Sequence, residues 1–75
     1  DSKDQLIFFT KKIALSKIKK GDLIFWKGHV AIALDKKRLV HAYGPKKKVT
    51  IMPISKTTNL LQSKGLNIIS IKRPV

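Results

Sequence analysis

The chain contains no cysteine, which excludes a disulfide framework, a thiolate metal site and any thiol nucleophile of its own. That absence leaves the compartment open, because a secreted fold need not be disulfide-bonded. Glutamate is missing as well: the 4 acidic residues are all aspartates, set against 17 lysines and arginines, for a formal charge of +13. No apolar run approaches the ~20 residues that a membrane-spanning helix needs, and no charged-then-apolar leader is recognisable, so no segment reads as spanning or targeting. Aromatic residues are scarce and unclustered, and there is no arginine-rich stretch. Nucleic acid is therefore not the expected partner, despite the charge. The basic residues fall at Lys11-Lys12, Lys17 to Lys20, Lys36 to Arg38 and Lys46 to Lys48, in expected turns and element ends, as on a solvated surface. The same field would draw an anionic polymer of another kind, such as cell wall or an acidic membrane face.

At 75 residues the chain is one domain at most, of a size at which a hydrophobic core alone gives marginal stability. It reads as a single partial domain over 1–75. Ser2 with Gln5 fits a capping box ahead of the apolar run Leu6 to Phe9, predicting a short helix from Lys3 to Thr10. Asp22 to Trp26 reads as a strand, Lys27-Gly28 as a tight turn, His29 to Leu34 as a second strand and Arg38 to Tyr43 as a third. Gly44-Pro45 breaks the pattern and Lys46 to Lys48 forms a loop. Val49 to Ile54 is then a fourth strand, with Pro53 implying an edge or strand end. Ser55 is expected to cap a helix to Lys64, Gly65 to be its left-handed C-terminal residue, and Leu66 to Ile71 to return as a fifth strand ending at Pro74. These elements make an α+β fold, an antiparallel sheet of about five strands with two short helices, which leaves apolar sheet surface uncovered.

The only two histidines, His29 and His41, both lie on predicted strands. Alternation puts His29 on one face with Ala31 and Ala33, while Val30, Ile32 and Leu34 face the other way; the branched residues are taken to mark the core side. A three-residue loop, Asp35 to Lys37, would pair Leu34 with Arg38 and set His41 opposite Ala31. The imidazoles are then diagonal neighbours on one face, roughly 7–8 Å apart at Cα and able to converge. A shift of one residue would separate them. Two imidazoles suit a general base with its orienting partner, two metal ligands, or two hydrogen-bonded fillers of a half-buried strand. A stable zinc site wants three or four ligands, and only Asp1, Asp4, Asp22 and Asp35 remain to complete one. No metal or cofactor is expected.

The run Lys-Lys-Gly-Asp-Leu-Ile-Phe-Trp-Lys-Gly-His-Val-Ala-Ile-Ala-Leu, followed by Leu-Val-His-Ala, closely resembles the second half of the NlpC-type cell-wall peptidases, which are papain-like cysteine peptidases. Ser55 to Gly65 followed by Asn67-Ile-Ile-Ser-Ile-Lys-Arg-Pro is similar to the helix and closing strand that end such domains. Asp1 to Gln5 looks like the segment between their nucleophile helix and first strand. The resemblance thus covers nearly the whole chain and implies the sheet half of that fold.

Its implied chemistry is a Cys-His-His apparatus that hydrolyses bonds of the peptidoglycan stem peptide, often between D-glutamate and a diamino acid, in the cell envelope or periplasm. By position His29 would be the base that pairs with the nucleophile, and His41 the third member that orients it. The Asp-Cys-Ser-Gly start of the family's nucleophile helix has no match here. Ser2 follows an aspartate but is too near Gly21 to begin that helix and the segment after it. The expected partner is therefore an N-terminal cysteine-bearing segment outside these 75 residues, and the chain alone is expected to be inactive. The alternative is a non-catalytic basic module that binds an anionic envelope polymer or nucleic acid.

Overall fold

The structure, a computed structural model, describes residues 10–43 and 48–74, without the side chains of Thr10 and Tyr43. Six strands form one antiparallel sheet: β1 (Thr10–Lys12), β2 (Leu23–Trp26), β3 (His29–Ala33), β4 (Arg38–Tyr43), β5 (Lys48–Pro53) and β6 (Ser70–Pro74). Their order is β1-β6-β2-β3-β4-β5. Among the described residues there is one α-helix, α1 (Ile54–Ser63), between β5 and β6, and one 3-10 turn at Leu15–Lys17. The class is the expected α+β, with six strands rather than about five. Most of the predicted helix from Lys3 and the break at Gly44-Pro45 lie outside the described residues; Thr10 opens a strand, and Lys48 belongs to β5 rather than to a loop.

The extra strand, β1, has no apolar alternation to announce it. It is held from outside, by the pairing of Lys11 with Arg73 in β6 and by Ile13 N–H donating to the Ile71 carbonyl at 2.8 Å. The closing strand starts later than expected, at Ser70, because Leu66 and Ile68 pack against the core before the ladder begins. Asp22 lies just before β2 rather than in it. Its buried carboxylate accepts from Arg73 Nε and Nη2, each at 2.8 Å, and from Lys19 N–H at 2.8 Å, tying the tail strand to the approach to β2.

Ser55 is not the helix cap. Pro53 occupies that position, with no side-chain cap, and the first helical amide, that of Ile54, donates to the Lys37 carbonyl at 2.8 Å. Ile54, Thr57 and Leu61 are buried, a stripe at the spacing of an amphipathic helix. The exit matches the expectation: Gly65 has φ +82°, with Gly65 N–H donating to Gln62 O and Leu66 N–H to Leu61 O. This paired arrangement satisfies the terminal carbonyls and turns Leu66 back onto the core.

The core lies on the face that was expected to be open. Ala31 and Ala33 are 1% exposed and Leu39 0%, whereas Val30 and Ile32 are 48% and 46% exposed. Small alanines let the covering elements approach the sheet closely, and Ile18, Ile54 and Leu61 complete a cluster there with Ile24, Trp26 and Ile71. Branching at Val30 and Ile32 reflects strand preference, which operates on either face, rather than burial.

Candidate active site

Two tight connections fix where the histidines sit. Between β2 and β3, Lys27-Gly28 closes the ladder at the pair Trp26 and His29, with Gly28 at φ +72°, a conformation that side-chain-bearing residues rarely adopt. Between β3 and β4, Leu34 N–H donates to the Arg38 carbonyl at 2.9 Å, while Asp35 Oδ1 accepts from the amides of Lys37 and Arg38, each at 2.8 Å. The resulting register sets Ala31 opposite His41. The rings therefore meet on the Ala31 face: His29 Nε2 and His41 Nδ1 are 2.8 Å apart, with ring centroids 5.0 Å apart and planes at 80°.

Sequence reasoning missed two neighbours. Met52 of β5 places its sulfur 3.2 Å from His41 Nε2, and the Trp26 ring lies 5.5 Å from that of His29. Trp26 was legible, since a two-residue turn makes Trp26 and His29 cross-strand partners. Met52 was not, because Lys48, read as the end of the loop before β5, instead opens that strand opposite Tyr43, and the β4–β5 register that brings Met52 to the histidine face depends on it.

His41 is buried and His29 half-buried. Burial pushes both imidazoles below the ordinary histidine value, and for His41 the neighbouring His29 adds to the effect. The neutral pair is thereby favoured, with one hydrogen-bond donor and one acceptor meeting between the rings. Trp26 is 3% exposed, and its Nε1 is buried without a hydrogen-bond partner among the described residues.

Comparison with known proteins shows the family. The NlpC/P60 family model matches residues 1–67, and so takes in both histidines and the whole of α1. The chain belongs to the NlpC/P60 family. No curated protein and no solved structure matches it. Membership associates the chain with cell-wall peptidases, with peptidoglycan as substrate and with the cell envelope.

Of the other sequence-derived candidates of this NlpC/P60 chain, Asp1 and Asp4 lie outside the described residues, and Asp22 and Asp35 do not join the histidines. Asp22 is committed to Arg73, which holds its carboxyl below the usual carboxylate range, and Asp35 is committed to its own turn. Among the described residues no three histidine, cysteine or acidic side chains gather as a metal site. No helix among them is long and apolar enough to cross a membrane. An open groove of about 620 Å³ between the 3-10 turn and the start of α1, lined by Leu15, Ile18, Pro53 and Ile54 among others, contains neither histidine.

Proposed function

We propose that this chain is the sheet half of a peptidoglycan endopeptidase, in which His29 and His41 work with a cysteine thiolate supplied from outside these 75 residues. The observation that carries the reading is the 2.8 Å contact between His29 Nε2 and His41 Nδ1, in a chain of this family. A base beside a thiol favours the thiolate, and a second group bonded to the base fixes its orientation. His29 Nε2 is engaged with His41, so proton exchange with the nucleophile falls to His29 Nδ1. The thiolate attacks the carbonyl of a stem-peptide bond of the D-glutamyl to diamino acid type. The proton taken up by His29 passes to the leaving amine, and water then releases the acyl group. The cysteine-bearing segment is placed against the half-exposed end of the buried face, beside His29, with its sulfur about 3–4 Å from the ring.

The 75 residues alone are expected to be inactive, because two imidazoles without a thiolate provide a base and an orienting group but no nucleophile. The test uses the longer gene product, or a mixture with the upstream fragment. Thiol-dependent cleavage of a stem peptide is expected, with block by an alkylating agent and loss in His29→Ala. An upstream sequence without cysteine, or cleavage indifferent to His29→Ala, would overturn the reading. Steeply salt-sensitive binding to an anionic polymer, without cleavage, would make the chain a basic binding module instead.

A further inference from the structure

We infer that Met52 is a positioning residue: its thioether sets the direction of the hydrogen bonds through His41 and thereby places the basic lone pair of His29 on Nδ1. The inference rests on the reading of His29 as base. Its starting point is the contact of Met52 Sδ with His41 Nε2 at 3.2 Å, in series with that of His41 Nδ1 with His29 Nε2 at 2.8 Å. A thioether has lone pairs and no proton, so it can only accept. The nitrogen facing it is therefore the protonated one, and His41 donates from Nε2. In a neutral imidazole the other nitrogen then carries the lone pair, so His41 Nδ1 accepts, and the donor to it is His29 Nε2–H. Neutral His29 protonated at Nε2 has its lone pair on Nδ1.

The reverse order is penalised at its far end. If His29 Nε2 accepted from His41 Nδ1–H, neutral His41 would turn a bare Nε2 lone pair toward the lone pairs of sulfur at 3.2 Å. His41 is 4% exposed, so water has little access to relieve that contact. A weak acceptor suffices here because it only has to choose between two tautomers. Met52 also suits the place sterically. It lies across from Leu39 and diagonal to His41 on the buried face, and packs against the apolar cluster.

The choice of a neutral acceptor has a chemical consequence. A carboxylate at this position would favour a charged His41 and make it compete with His29 for the proton. With sulfur there, one proton moves, from the thiol to His29 Nδ1, leaving a thiolate and a His29 imidazolium. His29 Nε2–H continues to donate to His41 Nδ1, and no proton on His41 has to be relocated.

The proposal is tested on the ¹⁵N-labelled 75-residue chain by long-range proton–nitrogen spectra at a pH above both histidine titrations. Protonated and unprotonated ring nitrogens are well separated there. The expected pattern has Nε2 protonated and Nδ1 unprotonated in both histidines. Met52→Leu, similar in volume and without an acceptor, is expected to shift His41 toward a mixture of tautomers. Met52→Gln, whose side-chain carbonyl accepts the same proton, is expected to restore the original pattern. A wild-type His41 protonated at Nδ1 would overturn the proposal even if neither variant folds, as would a folded Met52→Leu chain with an unchanged pattern. These spectra need no cysteine, so the outcome is independent of whether the longer protein cleaves a stem peptide.

Discussion

At the two imidazoles, burial makes the folded chain bind protons less readily than the unfolded one. A group whose folded pKa is lowered contributes its stabilisation fully above its unfolded value and loses it as pH falls through the folded value. For His29 and His41 the decline therefore begins near the ordinary value of 6.5. Asp22 is also lowered, chiefly by its hydrogen bonds to Arg73, so its contribution survives until pH falls below the ordinary 3.8 and is lost through its folded value. Thermal midpoints measured against pH are expected to fall in two separate steps. Replacing both histidines by glutamine should remove the upper step and leave the lower. An upper step that persists in the double variant would show that burial of the imidazoles is not its cause. Arg73→Ala leaves the buried Asp22 carboxylate without its cation, so it should lower the midpoint at pH 7 more than Arg38→Ala, which breaks an exposed pair with Asp35.

The elements differ in how they come to be where they are, and substitutions should expose this. Gly65→Ala forces a β-carbon onto φ +82° and should cost about 1–2 kcal/mol. Ser55→Ala should change stability by less than about 0.5 kcal/mol, since Ser55 caps nothing. Denaturant titration of the two variants checks both, and a loss near ~1 kcal/mol in Ser55→Ala would restore it as the cap. Elements determined by local chemistry were legible in the sequence: β2 and β3 with the Lys27-Gly28 turn, the span of β4, the left-handed exit at Gly65, and the pairing that sets Ala31 against His41. Those determined by distant partners were not. Thr10-Lys11-Lys12 becomes a strand only because β6 lies beside it, and Pro53 caps α1 because Lys37, from another hairpin, receives the first helical amide. The same division runs through the site. The convergence of the two rings followed from one short loop, whereas Met52 required the register of a strand whose connection was read one residue too long.

Over the whole molecule, two features oppose compactness or leave it incomplete: a sheet face with exposed Val30, Ile32, Val49 and Ile51, and an excess of positive charge. The open face contributes little to folding. Val30→Thr or Ile51→Thr should shift stability by no more than about 0.5 kcal/mol, while Leu39→Ala on the buried face should cost about 2–5 kcal/mol. Comparable losses on both faces would mean that the core is not confined to the histidine side. The charge acts over the full molecule, whose extents are 31 × 26 × 22 Å. At ~0.01 M salt the screening length, about 30 Å, spans the molecule, so every lysine repels every other; at ~0.15 M it falls to about 8 Å and only neighbours interact. The buried Asp22 carboxylate and its Arg73 partner are screened far less than exposed charges. Sodium chloride raised over that range should therefore increase the thermal midpoint at pH 7, by relieving repulsion while sparing the main ion pair. A midpoint that falls instead would show that attractive surface pairs outweigh the self-repulsion of a chain with charge +13.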